Sequence, residues 1–510
     1  MLLKARVLEF EAKKPIVILN RADAEDLGIK PLDRVELEAG KKKRIAIVNV
    51  AEEFIRKGWI GLYGRLQEEL KVKEGGNVEV KPIQQPASVV YIKKKLSGKV
   101  LKPQELKQII KDVVEQKLSE IELTSFVTAL YNHGLTLEEA AALSTAMAET
   151  GKILRLKKKP VFDKHSIGGV PGDKTSLLLV PTIAAAGCTI PKTSSRSITS
   201  PAGTADRMEC LAPVELEMEE IKRVVEQTGG CLVWGGAVEL APADDLLIQI
   251  EYPLAIDPLL LPSVMSKKKA VQAKYVVIDI PTGRGAKIKT IGEANELAER
   301  FIELGKRLGI QVKCVSTFGE QPIGFGIGPA LEAREALTAL KGKPPADLLD
   351  KVMHIASTLL GFKNKGAEKR VLQIIKSGKA ERKLREIIEA QGGDPKVQPE
   401  DIPIGEKCVK IKSGERGRIL WINNHAIARI AREAGAPSDK GAGILLRKKL
   451  GDKVEKGDVL LEIYAEKGFK LNRALELAEE LDVMGIGERY EMLLAKIPEE
   501  KHKRIFILER

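Results

Sequence analysis

The chain has 510 residues, more than a single hydrophobic core serves, so about two to four domains are expected. Apolar residues make up 44%, charged residues 30% and aromatics 4%, and the formal charge is +13. So few aromatics give little to stack bases on, which turns the reading away from nucleic acid as partner. The lysine triplets (Lys41 to Lys43, Lys93 to Lys95, Lys157 to Lys159, Lys267 to Lys269) are scattered rather than gathered in a tail. They read either as solvated surface or as a field that draws in small anions. The richness in Lys and Glu leans toward a heat-adapted protein. Five widely spaced cysteines without a CxxC pair argue against a disulfide framework or a zinc site and fit the cytoplasm. The start "MLLKARVLEFEAKKP" is too charged for a secretory signal. The run "LLLVPTIAAAGCTI" is too short to span a bilayer, so no membrane is expected.

Residues 1–84 read as a small β-rich unit. "PIVILN" is a strand, "RADAEDLG" one or two helical turns stopped by Gly28, and "IKPLDRVELE" a strand entered through a turn. "KPIQQPAS" has two prolines and no apolar period, which suggests a linker. From Pro103 the period becomes helical: Leu106, Ile109, Ile110, Val113 and Val114 make one stripe. "TSFVTALYNHG" is a second helix. "TLEEAAALSTAMAETG" is a third, with a Thr136/Glu139 capping box and Gly151 suited to a left-handed stop. The chain then alternates. The strands "KPVFD", "CTIPKT", "KYVVIDIPTG" and "QVKCVSTF" are apolar through most of their length and separated by helices. That pattern predicts a mostly parallel sheet covered on both faces. Helices follow at 343–390, and from about 400 the pattern becomes α+β.

Three stretches carry candidate chemistry. "DKHSIGGVPGDKTS", Asp163 to Ser176, is close to a P-loop, but Lys174 comes one residue too late after Gly172. Its glycines, lysines and hydroxyls still suit a phosphate. "SSRSITSPAGTADRME" follows a second strand, and ligands in open parallel sheets bind at the carboxyl ends of strands, so both loops should face one cleft. In "YPLAIDPLLLPSVMSKKKA", Asp257 before Pro258 reads either as a helix N-cap or as a general acid. His165 is the one histidine inside a candidate site. No His or carboxylate spacing suggests a metal.

Together "DKHSIGGV…GDKTSL", "SSR…GTADRME" and "SVMSKK" resemble the thymidine/pyrimidine nucleoside phosphorylase family over about residues 88–500. The resemblance implies an α/β multidomain fold. Its parts are a β-rich N-terminal domain (1–84), a helical domain (88–155 plus 235–270), a large α/β phosphate-binding domain (156–234 plus 271–400) and a C-terminal α+β portion (401–510). It places the attacking phosphate on Lys164, Ser166, Ser176, Ser194 and Thr204, and the base on Ser263 and Lys267. Three departures exist: a Ser/Thr-rich second loop, no arginine shortly before Asp257, and the added residues 1–84. All three are similar to the archaeal AMP phosphorylase branch. That branch implies Asp257 as proton donor and nucleotide contacts at Gly169, Ser195, Arg196, Ser197, Ile198, Thr199, Ser200, Thr204, Ser263, Lys267 and Lys287. It further implies AMP and inorganic phosphate as substrates, no cofactor, and a ribose 1,5-bisphosphate product that feeds an archaeal Rubisco. Homodimers joined into larger assemblies through residues 1–84 are implied as well. The competing readings are a pyrimidine nucleoside phosphorylase, a phosphoribosyltransferase of the anthranilate type, and a non-enzymatic nucleic-acid binder.

Overall fold

A computed structural model describes residues 1–9, 15–197, 200–363 and 366–488. The predicted Ile198 and Thr199 contacts, and the end of the C-terminal portion, lie outside them.

Short apolar strands between Leu2 and Pro82 close on themselves as a six-stranded barrel. Closure removes exposed edges, and alternation puts Val17, Leu19, Val35, Leu37, Val78 and Val80 inside. The expected linker shrinks to 83–86, because a helix over Ala87–Leu96 precedes the one predicted from Pro103. The helices Pro103–Val114, Glu120–His133 and Leu137–Glu149 form as read, the last two with capping boxes. Gly151 is not a left-handed stop. A Cβ there would come within 2.3 Å of the Leu240 carbonyl oxygen, so glycine serves close packing. Ala243 and Leu247 of the helix Pro242–Leu254 join this bundle's core.

The strands Gln311–Phe318, Ala273–Thr282 and Val161–Ser166 pair in parallel in that order. A single bridge from Val161 to Thr189 links them to the parallel pair Ile190–Ser194 and Gly230–Trp234. Both faces are covered. Phe162, Val277 and Leu232 meet the helices Thr175–Ala185, Ala346–Leu360 and Lys379–Ala390. Val161, Val276, Ile278 and Ile280 meet Met218–Thr228, Leu260–Ala270 and Ile291–Leu308. The helix Leu260–Ala270 thus roots its Leu261, Val264 and Met265 in the sheet-side core. Two antiparallel sheets and the helices Asn424–Glu433 and Gly468–Glu480 complete the described C-terminal part.

Candidate active site

The strands Val161–Ser166 and Ile190–Ser194 end beside each other, and their loops enclose a cavity of about 210 Å³. Of the predicted residues, Lys164, Ser166, Gly169, Ser176, Ser194, Ser195, Ser200, Thr204 and Lys267 line it. Five cationic side chains (Lys164, Lys192, Arg207, Lys267 and Lys268) face it, against two carboxylates, Asp173 and Asp245. Such an excess of buried cation suits a multiply charged anion. Among the described residues no group of three or more His, Cys, Asp or Glu side chains could hold a metal ion.

The first loop is built around positive backbone angles at Gly168, Gly169 and Gly172. A Cβ on Gly169 would lie 2.7 Å from the Lys287 amide nitrogen, so glycine lets the Ala286–Lys287 backbone press against the loop. Lys164 is buried, its Nζ 3.8 Å from both Asp173 and Asp279. Behind them Lys351 Nζ sits 2.8 Å from Asp279 and 3.8 Å from Asp173. Burial alone would raise the Asp173 carboxyl, but Lys164 and Lys351 hold it far below the usual carboxylate range. The late lysine has a different task. Lys174 Nζ donates to the carbonyls of Ile323 and Gly326 at 2.9 Å and pairs with Glu335, pinning the loop from beneath.

The second loop departs from expectation. Arg196 is turned away from the cavity. It makes a bidentate pair with Glu209 at 2.6 and 2.8 Å, reaches Glu215 at 2.8 Å and Asp206 at 3.4 Å, and lies over the Trp234 ring. Three carboxylates leave it no free fork for a phosphate. Ser197 is also spent within the loop: its amide donates to Asp206 at 2.7 Å, and its hydroxyl meets Ser200. Arg207, absent from the expectations, takes a cavity position, pairs with Glu332 and donates to Thr204 Oγ1 at 3.3 Å.

Asp257 is not a helix cap. The helix begins at Leu260, and the Asp257 side chain instead meets Lys287 Nζ at 3.1 Å, both half exposed. Neither lines the cavity: Asp257 comes from the segment between the helices Pro242–Leu254 and Leu260–Ala270, and Lys287 from beside Gly169, a lining residue. Ser263 is half-buried and does not line the cavity. His165 is kept neutral by burial first and by Lys268, Lys192, Lys267 and Lys164 next. Asp163 anchors Lys268 at 2.6 Å, and Asp244 anchors Lys267 at 2.6 Å. Sequence reasoning missed Lys192, Arg207, Lys268, Asp279 and Lys351. For Lys192 and Asp279 a signal existed: each is a lone charge inside an apolar strand, a placement that demands a partner or a ligand.

Comparison with known proteins places these parts. Residues 158–381 match the model of the glycosyl transferase family a/b domain, 89–151 its helical bundle domain, and 419–482 the pyrimidine nucleoside phosphorylase C-terminal domain. An anthranilate phosphoribosyltransferase from Thermus thermophilus shares the fold at TM-score 0.52 and 20% identity, over 59% of this chain and 98% of that one. An AMP phosphorylase of Thermofilum pendens is 49% identical over the full length of both chains. One of Thermococcus kodakarensis is 50% identical over 95% of this chain and 97% of its own. With such identity over nearly every residue, the chain belongs to the AMP phosphorylase family.

Proposed function

We propose that the enzyme cleaves nucleoside 5′-monophosphates with inorganic phosphate, taking AMP to adenine and ribose 1,5-bisphosphate. The observation that carries this reading is one cavity between two strand ends with five cations and at least five hydroxyls, enough for two phosphate groups. The attacking phosphate lies under C1′, held by Lys164 and the hydroxyls of Ser166, Ser176, Ser194 and Thr204. A phosphate oxygen forms the new bond to C1′ as the C1′–N9 bond breaks. The electron pair goes to the purine, and Asp257, protonated once it is away from Lys287, supplies the proton that neutralises it, worth about 10²- to 10⁴-fold; the proton that hydrogen phosphate gives up on forming its ester to C1′ restores Asp257. To do so Asp257 must leave Lys287, which closure of the cleft over bound nucleotide accomplishes. Closure also keeps water from C1′. Nucleotide contacts fall to Gly169, Ser195, Ser200, Thr204, Lys267 and Lys287.

The same reading proposes a cytoplasmic enzyme that works as homodimers, joined into larger assemblies by the barrel. Val90, Leu96, Ile121 and Tyr131 are exposed on the helical bundle and support pairing there. No described helix is long and apolar enough to cross a membrane. Incubation with AMP, CMP, UMP and thymidine, with and without phosphate, tests the activity. Phosphate-dependent release of adenine is expected; cleavage of thymidine and not of AMP would overturn it in favour of a pyrimidine nucleoside phosphorylase.

A further inference from the structure

The four lysines of the cavity are not equivalent. Lys267, Lys268 and Lys164 each have carboxylates close by, at 2.6, 2.6 and 3.8 Å. Lys192 pairs with no carboxylate among the described residues. It is 4% exposed, lines the cavity, and donates to the Thr193 carbonyl at 2.9 Å. An ammonium has three donors, so two remain unspent. A buried lysine without counter-charge is costly unless something supplies one.

We infer that Lys192 is a phosphate-binding residue of this cavity, a cation whose counter-charge the substrate brings. The inference rests on the phosphorolysis reading above. The groups facing Lys192 are Lys267 and Lys268 from the helix Leu260–Ala270, Asp163, Lys164 and His165 from the strand Val161–Ser166, and Cys231 from the neighbouring strand Gly230–Trp234. Burial first, then Lys268, lowers the Lys192 ammonium to about 7, and Asp163 opposes this only partly. Before an anion binds it is therefore partly neutral near pH 7. A phosphate dianion arriving beside it favours the charged form, so binding takes up a proton from solvent. Two groups have this chemistry, inorganic phosphate and the nucleotide's 5′-phosphate.

Lys192→Met removes the charge at similar length. Losing a charge-assisted contact in a buried site weakens binding by on the order of 10²-fold. A loss confined to inorganic phosphate assigns Lys192 to the attacking group, and a loss confined to AMP assigns it to the 5′-phosphate. Adenine, which carries no phosphate, binds the variant as well as the wild type in either case. Unchanged affinity for both anions overturns the inference, and so does equal weakening of adenine. Calorimetry on the wild-type enzyme provides a second readout that needs no variant. Near pH 8, where both ligands are mostly dianions, titration in buffers of different ionisation enthalpy should show uptake approaching one proton for the anion that reaches Lys192. Lys192→Arg, always charged, should bind without uptake. Failure of the phosphorolysis reading would show separately, as absence of phosphate-dependent AMP cleavage by the wild-type enzyme.

Discussion

The two loops of the cleft hold their cations in opposite ways. Before the glycine loop, Lys164 at the end of its strand points inward, and a buried frame of Asp173, Asp279 and Lys351 fixes it there. In the Ser/Thr loop Arg196 points outward and is consumed by Glu209, Glu215 and Asp206, while the inward cation is Lys192 from the strand below. A donor-rich motif therefore does not say which donors are free. Partners supplied from far along the chain decide that, because a guanidinium already engaged by carboxylates gains little from a phosphate.

The largest effect should come from the proposed proton donor, Asp257, which pairs with Lys287. Asp257→Asn should cut turnover by about 10²- to 10⁴-fold while AMP affinity stays within about threefold. Steady-state and binding measurements check this, and unimpaired turnover would remove Asp257 from the mechanism. Next comes the buried frame. Lys351→Met leaves Asp279 and Asp173 with a single lysine between them, a loss of about 3–5 kcal/mol of stability. Thermal unfolding reads that loss, and the Michaelis constant for phosphate should rise as Lys164 shifts. A change in stability with no change for phosphate would show that Lys351 is structural only.

Arg196→Ala sharpens the contrast between the loops. An arginine that grips the 5′-phosphate would, when removed, weaken AMP and leave stability alone. As placed, its loss should lower stability by about 1–3 kcal/mol and loosen the loop, and Arg196→Lys should not rescue it because the bidentate fork is gone. Gly169→Ala forces a side chain into a left-handed backbone against Lys287, at a cost of about 1–3 kcal/mol. It should weaken nucleotide more than phosphate. The last effect concerns Glu251, which is buried and accepts from the Leu259 amide at 3.2 Å. Burial, and then Asp257, raises its carboxyl from an ordinary 4.5 to about 8. Its charged form is therefore disfavoured in the folded protein, and stability falls as pH rises from 4.5 through 8. Glu251→Gln should flatten that decline in denaturation curves taken across this range. An unchanged curve would show that Glu251 carries no such penalty.

Much of this architecture was readable in the chain. Apolar strands alternating with helices pointed to the parallel sheet, since such runs must be buried on both faces. Both loops could be placed because strand ends in such sheets converge. The six-stranded closure of residues 2–82 could not be read, because pairing between distant strands leaves no local period. The helix Ala87–Leu96 hid behind a proline and a lysine run. In the site, residue types were legible and directions were not. Lys174 resembled a phosphate lysine but turns under the loop to Ile323 and Gly326. Arg196 is a nucleotide contact by resemblance but answers to Glu209 and Glu215. Asp257 resembled a cap but faces Lys287, 30 residues on.

Phosphorus NMR of the wild-type enzyme with AMP and inorganic phosphate follows both phosphorus atoms of the proposed phosphorolysis at once. Both substrate signals should decline together while two equal product signals grow, a C1 phosphate and a C5 phosphate on one ribose, with adenine released in equal amount. Loss of adenine without consumption of inorganic phosphate, giving ribose 5-phosphate alone, would contradict it.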